Sequence, residues 1–335
     1  MPALLRGNML HSNHNHMTAS PITSPEHTID QWVRRLAARM NGATSPAVAS
    51  VRRLSPSHRP ALYQFDNGAL FVVKEYWRDP ECDPALALLR ARRETKRFAL
   101  CRQVDLCGKP DRTASLLASR SRPPAALAVE YVEGSNLGRL IRHALKENSN
   151  PSSPFLAAAA VARCLAHIHS VSNPPIAASP SSNKTYPDKI IAALNGIMNE
   201  ELQQAAGLLR SARNKLSLSN NRLIHGDANP TNFIIEPSGA AVAIDLERLG
   251  RGDPHIDIGF LLADFIHMAQ HNGKPHAAEE LADAFRVSYK NHAPIDPPRE
   301  LYFTALGLLR IARNPWHNPS HRAWLITQAQ LLLDR

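Results

Sequence analysis

The chain has 335 residues, 44% of them hydrophobic, with 39 Lys and Arg against 29 Asp and Glu and a formal net charge of +10. A chain of this length and composition can bury one large core or two lobes, as globular proteins do. The longest apolar run, residues 155–162, is far shorter than the roughly 20 residues that span a bilayer, and the N-terminus has no apolar signal-peptide block, so we expect a cytoplasmic protein without membrane insertion.

The net charge limits the class of partner, and the cysteine pattern limits the kinds of metal site and cross-link that can be expected. The positive charge indicates an anionic partner, such as a nucleotide, a nucleic acid or a lipid headgroup, and does not choose among them. The four cysteines contain no CxxC pair and have no histidine at metal-ligand spacing from them. They therefore predict neither a zinc site nor a disulfide framework.

The N-terminal segment divides into a tail and a helix. Residues 1–27 are rich in Ser, Asn, His and Pro without a period, which predicts a disordered tail, with metal binding by its histidines as an open alternative. Residues 29–40 place Trp32 and Leu36 at helical spacing, which predicts an amphipathic helix with Asp30 as its N-cap.

A β-hairpin is predicted for residues 61–77. Two β-prone runs flank Asn67-Gly68, and Asn-Gly is a strong signal for a two-residue hairpin turn. Strand alternation places Lys74 at the end of a face that is otherwise apolar. On the pattern alone, an ordinary surface lysine remains an alternative to a functional one.

A basic helix is predicted next, over residues 83–104, with Pro84 in its first turn. Glu94 is the only acid inside this run of arginines and lysines, so an intrahelical ion pair is one interpretation of it. The arginines could also form a nucleic-acid footprint, but no aromatic residues are interleaved with them.

The rest of the chain is predicted to be mainly helical. A short buried strand ends at residues 130–132 and connects to a new helix after Gly134, which is typical of a connection between two lobes. Residues 172–187 are rich in Ser, Pro and Asn, which predicts a mobile loop. Helical periodicity covers residues 155–171, 188–216, 256–268 and 301–314.

A second hairpin carries a group of acids and amides at its open end. Residues 233–236 and 240–245 are β-like runs joined by a Pro-Ser-Gly turn, so they should pair antiparallel. Paired strands lie about 5 Å apart, so Asn232 and Asp245 can bind one hard cation such as Mg²⁺ through oxygen atoms. Asp227, on the loop before the hairpin, could then face a hydroxyl. Polar turn residues without a ligand are the alternative.

These residues carry a family resemblance. The pattern H-x-D-x-x-x-x-N of His225, Asp227 and Asn232, followed by AIDLE with Asp245 and by GDPHIDIG with Asp257, resembles the aminoglycoside phosphotransferase and choline kinase family, distant relatives of protein kinases. The resemblance covers roughly residues 45–335 and is strongest in the central part.

The resemblance implies a nucleotide site in the N-terminal part. Lys74 resembles the strand lysine that contacts ATP phosphates, and Glu94 resembles the helix glutamate that pairs with this lysine. Glu130 and Val132 resemble the hinge whose backbone hydrogen-bonds adenine. The cofactors implied are ATP and Mg²⁺.

The resemblance also implies the roles of the loop and hairpin residues. Asp227 would orient or deprotonate the acceptor hydroxyl, while Asn232 and Asp245 would hold Mg²⁺. By the same likeness, His225 and Asp257 brace the loop by hydrogen bonds.

The role of Glu247 stays open. It is either a second metal contact or part of a structural ion pair.

The chain departs from the pattern in two places. Residues 50–65 contain no glycine, so a Gly-rich phosphate loop is absent and Ser55 and Ser57 are the candidate phosphate contacts. The acceptor pocket is expected near residues 314–324, where no acidic cluster suited to an aminoglycoside is present. That segment offers Trp316, His317, His321, Arg322 and Trp324.

The sequence therefore predicts an α+β, two-lobed protein kinase-like fold with a small antiparallel N-lobe sheet and a mainly helical C-lobe. The predicted divisions are a tail (1–27), an N-lobe (28–133) and a C-lobe (134–335). The expected activity is ATP- and Mg²⁺-dependent phosphorylation of a small-molecule hydroxyl. There are two alternatives, a nucleotide-binding scaffold without turnover and a nucleic-acid binder. Neither of these roles needs all three of Asp227, Asn232 and Asp245.

Overall fold

The computed structural model describes residues 24–42, 46–54, 59–79, 82–108, 110–146, 152–194, 200–314 and 316–335. An antiparallel sheet occupies the N-terminal part, and the remainder is mostly helical. This arrangement confirms the predicted α+β class. Most of the expected tail, residues 1–23, lies outside the described residues, as do Ser55 and Ser57.

The first helix, α1 (Pro25–Asn41), begins earlier than predicted. Its N-cap is Ser24, whose hydroxyl accepts a hydrogen bond from the backbone of the first turn, so the prediction of Asp30 as N-cap was wrong. Asp30 lies inside the helix and forms an ion pair with Arg34 at 2.8 Å. A Ser-Pro start is a strong helix signal, and the tail-like composition around it concealed this signal.

Five strands form the main sheet in the order β1-β2-β3-β6-β5, and every neighbouring pair is antiparallel. The hairpin predicted at Asn67-Gly68 is present, with Gly68 in the left-handed region at φ +81°, where a side chain would be strained. The strands are β1 (Val48–Arg53), β2 (Pro60–Phe65), β3 (Leu70–Glu75), β5 (Leu116–Arg120) and β6 (Ala126–Glu130).

The two faces of this sheet are covered by different helices. Helix α1 packs on the face that carries Phe71 and Val73. Helix α2 (Pro84–Gln103) lies on the side of Val72 and Lys74, with Pro84 in its first turn as predicted and Asp83 as its N-cap. The alternation along β3 therefore points Lys74 toward α2.

The second predicted hairpin is also confirmed. Strands β9 and β10 are antiparallel with Ala243 opposite Phe233, and the Ile244 backbone N–H donates to Asn232 O at 2.9 Å. Residues 232 and 245 therefore lie at adjacent strand ends. The short strands are β4 (Arg112–Thr113), β7 (Ser135–Asn136), β8 (Arg222–Ile224), β9 (Phe233–Ile235), β10 (Ala241–Ala243) and β11 (Gly250–Gly252).

Eight further helices build the rest of the described chain. Residues 188–216, predicted as one helix, contain two described helices, and α8 and α10 were not predicted. No helix among the described residues is long and apolar enough to cross a membrane. The helices are α3 (Leu137–Lys146), α4 (Ser152–Ser170), α5 (Tyr186–Leu194), α6 (Glu200–Lys215), α7 (His255–His271), α8 (His276–Lys290), α9 (Pro297–Ala312) and α10 (Pro319–Leu333).

Helices α7 and α9 pack with their backbones in close approach. A Cβ atom at Gly259 on α7 would lie 2.4 Å from the backbone carbon of Phe303 on α9. Because backbone cannot move aside as a flexible side chain can, only glycine allows this approach. The distance between these two helices is therefore set at Gly259.

We expect Gly259→Ala to lower the free energy of unfolding by about 1–3 kcal/mol, the usual cost of overpacking. The matched control is Gly207→Ala on α6, where a Cβ meets nothing within 4 Å. That change should raise stability by about 0.5–1 kcal/mol through helix propensity. Urea denaturation of both variants measures this difference, and equal stability of the two would contradict the packing argument.

Candidate active site

A cleft of about 820 Å³ lies between the main sheet and the β9–β10 hairpin. Its apolar lining includes Val72 and Val129, and its polar lining includes Lys74, Asn232 and Asp245. A largely apolar cavity of this size with a few convergent polar groups is typical of a small-ligand site.

Lys74 lies at the centre of an ion-pair cluster inside the cleft. Its Nζ atom is 2.6 Å from Glu94 Oε1 and 2.8 Å from Asp245 Oδ1. The Tyr76 hydroxyl donates to the other carboxylate oxygen of Glu94. The ion pair expected between Lys74 and Glu94 is thus present, and the contact with Asp245 adds the hairpin to it.

The charges in this cluster shift one another's pKa values. Burial lowers the pKa of Lys74, but Glu94 and Asp245 outweigh burial, and the net pKa is raised. Burial raises the pKa of Asp245, and Lys74 more than offsets this, so the net pKa is lowered. Burial and the Asp245 charge keep the pKa of Glu247 raised, although Lys74 opposes them. At neutral pH, Lys74 and Asp245 are therefore both charged.

The loop that precedes the hairpin holds Asp227 beside Asn232. The side-chain amide of Asn232 donates to the Asp227 backbone carbonyl at 3.0 Å, and Asn229 donates to the same carbonyl at 3.1 Å. The Asn232 side chain is nearly buried, whereas the Asp227 side chain is about one-third exposed. The Asp227 carboxylate is thus partly exposed, next to Asn232, which lines the cleft.

Hydrogen bonds of Asp257 and His225 hold this loop in place. Asp257, buried in the first turn of α7, accepts hydrogen bonds from the backbone N–H groups of His225 at 2.6 Å and Gly226 at 2.8 Å. His169 Nε2 lies 3.0 Å from the same carboxylate. His225 Nε2 in turn lies 2.9 Å from the Ile244 carbonyl on the hairpin. These hydrogen bonds join the loop to α7, α4 and the hairpin.

Residues 172–187 also support the loop. The Ser181 hydroxyl donates to the Gly226 carbonyl at 2.5 Å, and the Ser179 backbone N–H donates to Arg251 O at 2.8 Å. A Cβ at Gly226 would lie 2.2 Å from Ser179 Oγ. The composition of this segment predicted a mobile loop, whereas the structure packs it directly beneath the 225–232 loop.

The proposed hinge lies at the edge of the cleft. Glu130 and Val132 both line it. The Glu130 carboxylate contacts Arg112 and accepts from the Ser115 backbone N–H at 2.6 Å. Its side chain is therefore engaged outside the cleft, and its backbone N–H donates to the Ser115 carbonyl at 3.0 Å.

A second cavity, of about 560 Å³, lies on the other side of the loop. The sequence indicated an acceptor pocket near residues 314–324 but none of the other residues that line this cavity. Asp264 and Arg310 line it, and the Arg310 guanidinium lies 2.9 Å from Asp264 and 3.6 Å from the Asp227 carboxylate. Thr231 lines both cavities. Asp227 thus contacts Asn232, which lines the larger cleft, and Arg310, which lines the second cavity.

Sequence reasoning missed Arg310 and Asp264 because their local patterns are ordinary. Each is a charged residue within an amphipathic helix, and only the packing of α7 against α9 brings them together. Of the segment expected to form the acceptor pocket, residues 314–324, His317 lines the second cavity. Trp316 is 87% exposed, and the Arg322 guanidinium is occupied by the backbone carbonyls of Ala312, Asn314 and His317.

The sequence of the chain matches one family model over residues 72–298, described as the phosphotransferase enzyme family. The chain belongs to this family. It is therefore a phosphotransferase. A comparison with curated protein sequences gives no significant match.

Solved structures share the fold at low sequence identity. A choline kinase from Streptococcus pneumoniae is 14% identical, with a TM-score of 0.57, and the match covers 92% of this chain and 99% of that one. An aminoglycoside-3'-phosphotransferase of type VIII is 17% identical, with a TM-score of 0.55 and coverage of 84% and 98%. The ADP-bound aminoglycoside phosphotransferase APH(2'')-Ib is 15% identical, with a TM-score of 0.51 and coverage of 89% and 96%. These similarities confirm the expected kinase-like fold.

A pH dependence of stability follows from Asp264. Burial raises its pKa to about 6; Arg310 lowers it and Asp227 adds to the rise. The unfolded-state pKa is about 3.9, so the folded chain binds the extra proton between about pH 4 and pH 6, and stability should fall as pH rises through this range.

We expect Asp264→Asn to remove this part of the dependence. Denaturation of the wild type and of Asp264→Asn at several pH values gives the free energy of unfolding of each. The difference between the two free energies should change between about pH 4 and pH 6. Asp283→Asn, an exposed acid on α8 whose side chain is 65% exposed, is the control and should give a curve parallel to wild type. A parallel curve for Asp264→Asn would refute the assignment.

Proposed function

We propose that this phosphotransferase moves the γ-phosphate of ATP, in the presence of Mg²⁺, to a hydroxyl group of a small molecule. The observation that carries the proposal is that Asp227 contacts one lining residue of each of two cavities, Asn232 in one and Arg310 in the other. One cavity collects Lys74, Asn232 and Asp245, and the other has its own polar lining. A transfer between two bound molecules needs such a pair of adjoining sites.

The larger cleft fits a nucleotide. Its apolar walls suit an adenine ring, and the backbones of Glu130 and Val132 would hydrogen-bond the ring edge. Lys74, kept charged by its carboxylate neighbours, would contact the phosphates. The ADP-bound relative of the same fold supports this use of the cleft.

The open end of the hairpin fits a hard cation. Asp245 and Asn232 offer a carboxylate and an amide oxygen, and the carboxylates of Glu94, Asp245 and Glu247 lie within 4.8 Å of one another. Oxygen ligands of this kind are those that Mg²⁺ prefers. The ion would neutralise charge on the transferred phosphoryl group.

Asp227 would act on the acceptor. Its carboxylate would accept the hydroxyl proton while the oxygen attacks the γ-phosphorus and the bond to the β-phosphate oxygen breaks. Arg310 lies 3.6 Å from this carboxylate and would fix its direction. The Asp257 carboxylate, which accepts hydrogen bonds from the loop N–H groups, would keep Asp227 between Asn232 and Arg310.

The charge of the second cavity favours one class of acceptor. Its lining contains Arg142, Arg310 and Arg313 against the single carboxylate of Asp264. Like charges in a confined site repel strongly, so a polycationic aminoglycoside fits poorly. A neutral or anionic hydroxyl compound, such as a sugar or a hydroxy acid, fits better.

We expect Asp227→Asn to lower phosphoryl transfer by about 10²–10⁴-fold, the usual contribution of a general base. Nucleotide affinity should stay within a few-fold of wild type, because Asp227 is absent from the lining of the larger cleft. ADP release with a panel of sugars, hydroxy acids, amino alcohols and aminoglycosides measures transfer. The control, Asp283→Asn, should behave as wild type, and full turnover by Asp227→Asn would refute the role.

We expect Asp245→Ala to abolish the Mg²⁺ dependence of ATP binding, with at least the roughly 10- to 100-fold loss that follows damage to a metal site. Calorimetric titration with ATP, with and without Mg²⁺, measures this for the variant and for Asp283→Asn. An unchanged Mg²⁺ effect would contradict the cation site. Tight MgATP binding by wild type without transfer to any acceptor would favour the scaffold alternative.

A further inference from the structure

Four histidines lie together beside the second cavity, and none of them has a role in the proposed reaction. His267 and His271 are four residues apart on α7, so both face one side of the helix. His317 and His321 are also four residues apart and lie in the turn before α10 and in its first turn. Helix α9 packs against both α7 and α10, and this arrangement brings the two pairs into one cluster.

The ring nitrogens of this cluster lie at distances that suit a metal ion. His267 Nδ1 is 2.9 Å from His321 Nε2, and one nitrogen of each of His267, His317 and His321 lies within 4.8 Å of the others. With Zn–N bonds of about 2.0–2.1 Å, two ligands of a tetrahedral ion lie about 3.3 Å apart. Small side-chain rotations would therefore place all three nitrogens around one ion.

The fourth histidine lies at the rim of the cluster. The His271 ring centroid is 5.9 Å from those of both His267 and His321. It is an exposed side chain on the last turn of α7. Its nitrogens are not among the three that lie within 4.8 Å of one another, so this side chain would have to rotate toward the cluster to supply a fourth ligand.

The backbone around the second pair is fixed without any ion. The Asn318 side chain caps α10 by accepting from the His321 backbone N–H at 2.8 Å. Arg322 holds the preceding turn through the carbonyls of Ala312 and Asn314 at 3.0 and 3.1 Å. The His321 ring also stacks on Trp324, with centroids 5.8 Å apart. The ligands are thus held near their positions, which lowers the entropy cost of binding.

We propose that His267, His317 and His321, with His271 as the fourth ligand, form a Zn²⁺ site that fastens α10 to α7. Imidazole ligands select zinc over the hard cations that the oxygen-lined cleft suits. Because His267 and His317 line the second cavity, the ion would fix one wall of it. The site does not depend on the proposed reaction, and its test measures metal binding alone.

The test uses the full chain freed of metal with a chelator, without nucleotide and with excess Mg²⁺ to occupy oxygen sites. The N-terminal histidines His11, His14 and His16 are a competing source of binding, so all proteins carry alanine at these three positions. Zn²⁺ is titrated by calorimetry, and Co²⁺ by visible absorption, which is intense for four-coordinate sites.

The parent protein should bind one Zn²⁺ per chain. His317→Ala with His321→Ala should weaken binding by at least roughly 100-fold and remove the Co²⁺ absorption, whereas His276→Ala with His292→Ala, two exposed histidines outside the cluster, should leave both unchanged. No Zn²⁺ binding by the parent, or equal binding by the cluster variant, would overturn the proposal.

A single, milder variant guards against misfolding of the double one. His317 lies in a turn and is only half-buried, so His317→Gln should fold as the parent does, as circular dichroism will show. We expect a loss of Zn²⁺ affinity of at least roughly 10-fold. An unchanged affinity in this folded variant would likewise overturn the site.

Discussion

The ammonium of Lys74 is held between two carboxylates, and the geometry of the larger cleft depends on this contact. A charge withdrawn from water is stable only beside opposite charge, and Glu94 and Asp245 supply it at 2.6 and 2.8 Å. The three side chains come from a strand, a helix and a hairpin. One ion-pair cluster therefore fixes the relative positions of β3, α2 and the end of β10, and it does so before any ligand arrives.

Sequence reasoning succeeded where the signal was local. Asn67-Gly68 and the Pro-Ser-Gly turn specify their hairpins because turn geometry depends on a few adjacent residues, and the loop motif placed Asp227 beside its hairpin. It failed where distant elements meet. Nothing near Arg310 indicates that it reaches Asp227, and the two histidine pairs have no common local pattern, because only helix packing joins them. The assigned roles of the site residues remain predictions.

The two cavities differ in how they are built. The larger one is formed by the main sheet and by a loop and hairpin whose sequence follows the family pattern closely. The smaller one is lined largely by α7, α9 and the turn before α10, where a side chain such as Arg310 could change without disturbing a motif. A family can therefore keep the site for the phosphate donor while the site for the acceptor changes. The residues that line the two sites lie largely on separate elements.

Helix α7 connects all three functional features along one side. Asp257 supports the loop, Asp264 contacts Arg310, and His267 and His271 belong to the histidine cluster. Their spacings of seven, three and four residues keep them on one face of a helix with 3.6 residues per turn. Loss of one residue between Asp257 and Asp264 would rotate the later groups by about 100° relative to the first. During divergence, length changes should therefore be excluded from this helix and collect in the connections around α8.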